Sequence, residues 1–162
     1  MRLSKNWCNI VPITADGKVV LVKQYRVGPH VQTLETPGGV ADPKDTSVEA
    51  TALRELAEET GYEPLPGAKC IQIGVNQPNP AIQDNHCYSF IVGPVAQKQR
   101  QNLDPGEMIE VVEIPIEDIP QMILNNEMDH ALILYAFLML TLQSPQGPSQ
   151  LIQQLEKYTK IT

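Results

Sequence analysis

Short runs rich in β-branched residues alternate with two longer stretches of helical period along the 162-residue chain. Asn9 to Thr14 and Lys18 to Arg26 predict two strands, joined as a hairpin through Asp16-Gly17. Val19-Val20-Leu21-Val22 is continuously apolar, which predicts a strand covered on both faces. It ends in Gln24-Tyr25-Arg26, where polar groups leave the sheet, and Gly28-Pro29 opens a loop. Leu34-Glu35-Thr36 is a short extended piece that leads into Pro37-Gly38-Gly39, read as a tight turn. Thr46 is the expected N-cap of a helix, with Glu49 as its capping-box partner; the helix runs to about Thr60 and stops at Gly61.

Further strands are expected over 69–75, 86–92 and 108–114, with a loop rich in Asn, Pro and Gln over 76–85. The stretch 93–106 is polar and has no apolar period, which predicts a surface loop with room to move. A Pro-bounded turn over 116–120 and one helical turn over 121–124 precede a second long helix, 129–142. That helix is apolar almost all round, so it is expected to be well buried. A linker over 144–149 leads to a short amphipathic tail helix carrying Leu151, Ile152, Leu155 and Tyr158. Strands mixed with two long helices imply an α/β fold with helix layered on sheet. The expected organisation is one domain, 1–142, followed by a linker and helix over 143–162.

Composition narrows the function classes. With 42% hydrophobic residues the chain can bury one core. Its net charge of −7 gives it no generic reason to bind nucleic acid or an anionic membrane. Cys8, Cys70 and Cys87 show neither metal-ligand spacing nor a disulfide framework, which points to a reducing cytoplasm. The first residues lack the apolar core of a signal peptide, and the longest apolar run, 131–140, is too short for a membrane span.

The stretch with chemistry in it is Arg54-Glu55-Leu56-Ala57-Glu58-Glu59-Thr60-Gly61-Tyr62. At about 100° per residue, Glu55, Glu58 and Glu59 share one side of the first helix, within roughly 100° of arc. Ala50, Leu53 and Ala57 fall nearly opposite and are the expected apolar face. Arg54 can offset Glu58 at i+4, but nothing on the helix is expected to offset Glu55 and Glu59. Clustered carboxylate oxygens of this kind select hard divalent cations such as Mg²⁺, Mn²⁺ or Ca²⁺.

This stretch resembles the second half of the Nudix box, Arg-Glu-aliphatic-X-Glu-Glu-X-Gly-hydrophobic, at every fixed position from Arg54 to Tyr62. The first half departs from the box. Counting back from Arg54 puts Val40 and Thr46 where the box has glycine and glutamate. Counting forward from Gly39 puts Asp45 at the glutamate, with one extra residue before Arg54, and this register is preferred.

The resemblance implies an α/β/α Nudix sandwich with a mixed sheet, over about residues 8 to 142. It also implies Mg²⁺-dependent hydrolysis of a nucleoside diphosphate linked to another group, with Mn²⁺ as a substitute. Glu55 and Glu59 are the expected metal ligands, followed by Glu58 and, by resemblance, the carbonyl of Gly38. Relatives carry a glutamate where Glu107 stands, touching metal or attacking water, although Glu107 also reads as an exposed loop acid. Glu110 is a weaker candidate, and Arg54 is expected to position the carboxylates.

Gln24-Tyr25-Arg26 followed by Leu34-Glu35-Thr36-Pro37-Gly38-Gly39 resembles the ADP-ribose and nucleotide-sugar branch of the family. On that resemblance Arg26 would hold a phosphate through its forked donors and Glu35 would orient a sugar hydroxyl, with Gly39 beside the substrate. A surface ion pair is the plainer reading of Arg26. Trp7 could stack on a base or cap the sheet. His30, His86 and His130 are isolated in sequence and are expected to pack or hydrogen-bond rather than to ligate.

The expected function is hydrolysis of ADP-ribose or a related nucleoside diphosphate sugar. The alternatives are a nucleoside triphosphate pyrophosphatase on the same scaffold, or a non-catalytic nucleotide-binding module. The expected partner is a small nucleotide. A homodimer stays open, since relatives often pair through an N-terminal segment that is short in this chain.

Overall fold

The computed structural model describes residues 5–144. Strands β1 (Trp7–Thr14) and β2 (Lys18–Arg26) form where alternating apolar positions flank Gly17, whose φ of +84° closes the turn between them. β3 (Val31–Glu35) pairs antiparallel with β2, and β7 (Ile109–Pro115) pairs with β2 on its other edge. β5 (Tyr62–Asn76) pairs antiparallel with β6 (Cys87–Gln97), and β6 runs parallel to β1. One parallel pair among antiparallel ones makes the sheet mixed, as expected.

Pro37-Gly38-Gly39 is not a turn of its own. Gly38–Val40 forms a three-residue strand, β4, antiparallel to the first residues of β1. The backbones come so close that a Cβ on Gly38 would run into the carbonyl oxygen of Cys8 and lie 2.9 Å from the Cα of Asn9. That approach leaves no space for a side chain at Gly38, while a Cβ on Gly39 would meet the Glu55 carboxylate.

Helix α1 (Val48–Thr60) starts one residue later than expected. Ser47, not Thr46, is the N-cap, and its hydroxyl accepts from the Ala50 amide at 3.0 Å. Its C-terminal end is as expected: Gly61 adopts the left-handed conformation, φ +74°, and its amide bonds the Ala57 carbonyl. The buried residues on α1 are Thr51, Ala52, Leu56, Glu59 and Thr60, so the inward face is rotated from the expected Ala50-Leu53-Ala57 line. The reason is that Glu59 lies on the same side as Ala52 and Leu56, and is turned in towards the sheet rather than out to solvent.

The sheet is covered on both sides. Cys8, Ile10, Val20, Phe90, Val92 and Val95 pack with Ala52 and Leu56 on the α1 side. Val11, Ile13, Val19, Leu21 and Ile91 pack with Ile133, Ala136, Phe137 and Leu140 of helix α3 (Ala131–Gln143) on the other. Alternate residues of β1, β2 and β6 therefore feed opposite layers, which accounts for the uninterrupted apolar run in β2. α3 is less buried than its composition suggests: Leu138 and Leu142 are exposed, because an outer-layer helix covers the sheet with one face only. A short helix α2 (Ile119–Leu124) follows a 3₁₀ turn at Ile116–Asp118.

Two other expectations change. β5 begins at Tyr62, directly after the helix cap, rather than at Lys69. β6 continues to Gln97, and the segment beyond it is strapped to the end of α1 instead of standing free. Lys98 and Gln99 amides donate to the Gly61 carbonyl, the Asn102 amide donates to the Glu58 carbonyl at 2.8 Å, and the Gln101 side chain bridges the carbonyls of Glu59 and Ile109. The linker and tail helix expected after Ser144 lie outside the described residues. Among the described residues no helix is long and apolar enough to cross a membrane.

Gly61 joins these features, since a Cβ there would strike the Gln99 carbonyl and the backbone is left-handed. Gly61→Ala is expected to destabilise the fold by at least about 1 kcal/mol. Urea denaturation measures this, and an unchanged midpoint would contradict the strap.

Candidate active site

The inward turn of α1 brings Glu55 and Glu59 against β4. The Gly38 amide donates to Glu59 Oε2 at 3.0 Å, and Glu59 is only 4% exposed. Burial, reinforced by the negative charges of Glu55 and Glu107, pushes the Glu59 carboxyl up to about 8 despite the Gly38 hydrogen bond. Glu55 faces Gly39 so closely that a Cβ on that glycine would lie 2.5 Å from Oε1. Burial raises the Glu55 pKa as well, against the pull of Arg54. Glu58 lies further out.

Arg54 is the hub of the acids. Nη1 lies 2.8 Å from Glu58 and 3.0 Å from Glu55, while Nε and Nη2 fork onto Asp45 at 3.1 and 3.0 Å. The expectation that nothing on the helix offsets Glu55 is therefore corrected: a guanidinium is long enough to reach its sequence neighbour. Asp45 also accepts from the Asp42 amide and the Thr51 hydroxyl. These contacts, led by Arg54, hold its carboxyl well below the usual range. Asp45, two residues before Ser47, is thereby held on Arg54.

A divalent cation fits this donor set. Its oxygens are hard, its inner two carboxyls are costly to ionise as they stand, and a divalent cation held by them would remove that cost. Among the described residues no three acidic, histidine or cysteine side chains are already gathered to hold an ion. Glu107 stands in an exposed loop with its carboxylate accepting from the Asp104 amide at 3.0 Å. It is near enough for its charge to raise both Glu55 and Glu59. Glu110 pairs with Lys23 on the exposed surface of β7, at 3.7 Å.

Beside this ledge lies a cavity of about 640 Å³. Its lining includes Gly38 and Gly39 of β4, Trp7 and Asn9 of the neighbouring β1, and Arg26, Glu35 and His130. Arg26 and Glu35, read separately from the sequence, form one bidentate pair: Nε to Oε1 at 2.8 Å and Nη2 to Oε2 at 2.7 Å. Thr33 donates to Oε1 at 2.7 Å, and His130 Nδ1 lies 3.1 Å from Oε2. The plainer reading of Arg26, an ion pair, thus holds, but the pair is set in the cavity wall. Glu35 is 3% exposed, so it meets the cavity chiefly through the groups it holds.

Sequence reasoning missed the parts of this wall that come from afar. His130 meets Glu35 across 95 positions, and no local pattern marks that contact. Thr33 was findable, because it sits two residues before Glu35 on the same strand and so on the same face.

The environment of Glu35 has a measurable consequence. Burial alone would raise its pKa, but the hydrogen bonds from Arg26, His130 and Thr33 outweigh burial and hold it well below the usual range. Glu35→Gln is expected to cost about 1–3 kcal/mol of stability at neutral pH. A depressed pKa stabilises the fold fully above the unfolded value, near about 4.3, and progressively less below it. Urea titrations should therefore show wild type and variant converging in acid; a gap that stays constant there would contradict the ion pair.

Comparison with known proteins agrees with this geometry. A profile described as NUDIX domain matches residues 7–137. An ADP-ribose pyrophosphatase of Bacillus subtilis (strain 168) is 31% identical over 135 residues, covering 83% of this chain and 71% of that protein. An ADP-sugar pyrophosphatase of Mus musculus is 36% identical over 104 residues, covering 62% of this chain; the chain spans about half that relative, 47%. A crystal structure of an ADP compounds hydrolase superposes with a TM-score of 0.78 at 22% identity, covering 91% of this chain and 78% of that one, which is a likeness of fold. The box helix, the mixed sheet between two helical layers and the profile match together show that this chain belongs to the Nudix hydrolase family.

Proposed function

We propose that this protein hydrolyses the diphosphate of ADP-ribose or a related nucleoside diphosphate sugar, releasing a nucleoside monophosphate and a sugar phosphate. The observation that carries the reading is a shared wall. Gly38 and Gly39 touch Glu59 and Glu55 on one side and line the cavity holding Arg26 on the other. A diphosphate lying across that wall has the acids at its bridging oxygen and the cavity around its attached group. The similarity to a Bacillus ADP-ribose pyrophosphatase and a mouse ADP-sugar pyrophosphatase supports the same substrate class.

Glu55, Glu58 and Glu59, with the Gly38 carbonyl, would hold the metal, and Glu107 would complete the set from outside the helix. When bound, Mg²⁺ or Mn²⁺ supplies charge neutralisation for the diphosphate and lowers the pKa of an attacking water. Arg54 keeps the outer carboxylates in place. Arg26 offers Nη1, which takes no part in its pair with Glu35, to a phosphate oxygen. The narrow backbone approach at Gly39 keeps Glu55 at the phosphate side of the wall.

A panel of nucleoside diphosphate sugars assayed with Mg²⁺ and with Mn²⁺ tests the reading, with products separated by chromatography. A nucleoside monophosphate plus a sugar phosphate is expected; release of inorganic pyrophosphate from triphosphates alone would favour the triphosphate reaction. Glu59→Gln should lower turnover by roughly 10²-fold or more. The fold should survive, since glutamine matches the carboxyl in size and its amide oxygen can still accept from the Gly38 amide. Unchanged turnover would refute the role of Glu59.

A further inference from the structure

The arrangement around Glu35 assigns a task to His130 that its place in the sequence does not suggest. Glu35 is ionised, and an ionised carboxylate only accepts hydrogen bonds. Its Oε2 already receives Arg26 Nη2 at 2.7 Å and its Oε1 receives Arg26 Nε and Thr33. The remaining partner, His130 Nδ1 at 3.1 Å, must therefore carry its hydrogen towards Glu35. In the neutral ring that leaves Nε2 as a bare acceptor. The His130 side chain is 39% exposed and borders the cavity, whereas the Glu35 side chain is 4% exposed. Glu35 holds two groups of opposite capability in one wall: a guanidinium that only donates and an imidazole nitrogen that accepts.

A ligand that satisfies both carries a phosphate oxygen and, close to it, a hydroxyl. We propose that His130 is a substrate-reading residue whose Nε2 accepts a hydroxyl of the sugar, and that Glu35 is the positioning residue that fixes its ring and tautomer. The inference deepens the nucleoside diphosphate sugar reading and rests on it for the identity of the hydroxyl. Nothing in it requires His130 to move a proton in the reaction. Thr33 and Arg26 keep Glu35 from swinging away, so the ring is held from beneath by a carboxylate that is itself fixed on three sides.

Two measurements on the full chain test it. In the first, wild type, His130→Ala and His130→Gln are assayed with Mg²⁺ on a nucleoside diphosphate sugar and on the same nucleoside diphosphate esterified to a short alkyl group. His130→Ala is expected to lower kcat/KM for the sugar substrate about tenfold, chiefly through KM, and to lower it several-fold less for the alkyl substrate, which shares only the Arg26 side of the wall. His130→Gln should recover part of the loss, because its amide oxygen can accept from the same hydroxyl. Equal losses on both substrates, or no loss on either, overturn the proposal.

The second measurement needs neither turnover nor metal. The ¹⁵N signals of the His130 ring should show a protonated Nδ1 and a pyridine-like Nε2. The Nε2 signal should shift when ribose 5-phosphate is added and stay put with inorganic phosphate. A protonated Nε2 in the neutral ring, or a shift with phosphate alone, overturns it. If wild type cleaves neither diphosphate, the functional reading fails, and the ¹⁵N titration still decides the role of His130.

Discussion

The close approach of β4 to helix α1 is the constraint on which the rest of the site depends. Two successive glycines let a strand lie against β1 on one side and receive two carboxylates on the other. With any side chain at Gly38, β4 would be forced off β1; with one at Gly39, Glu55 would be displaced. The helix face that meets this strand is half apolar and half acidic, with Ala52 and Leu56 beside Glu59. Folding therefore buries an acid in a position where ionisation is disfavoured until an opposite charge arrives. The hydrophobic layers on either side of the sheet hold that position rigidly, because neither layer can shift without opening the core.

Charge in this protein is managed by two arginines that work alike. Arg54 gathers Asp45, Glu55 and Glu58 at the outer edge of the helix. Arg26 locks onto Glu35 at the cavity wall. Each uses the planar fork of the guanidinium to fix a carboxylate in orientation as well as in charge, which an ammonium would not do. The molecule is acidic overall, yet one of these forked cations, Arg26, lines the cavity. The strap from Gln97 to Asn102 completes the framework by tying the carbonyls at the end of α1 to the segment that leads to Glu107.

Much of this was readable locally. The helix, its glycine stop and the shared side of Glu55, Glu58 and Glu59 follow from a 3.6-residue period and a left-handed cap, both properties of neighbouring residues. The hairpin around Gly17 and the doubly covered run in β2 follow from turn chemistry and alternation. Errors arose where distant chain segments decide the outcome. Gly38–Val40 looked like a turn because its pairing partner, β1, is about thirty residues away in sequence. The rotation of α1 was misjudged because Glu59 counts as polar in any periodic reading, although β4 draws it inward.

By itself the chain determined the two long helices, the hairpin of β1 and β2 and the place where the acids cluster. These outcomes depend on interactions within a few residues, and the local pattern contains them. Only the tertiary structure decided that Arg26 and Glu35 are one unit, that Asp45 belongs to Arg54, and that His130 borders the same cavity as Arg26 and Glu35. The contact of His130 with Glu35 joins the start of α3 to β3 and exists only once the sheet has brought these ends together. A carboxylate's partner across a fold is set by packing geometry, and no spacing along the chain encodes it.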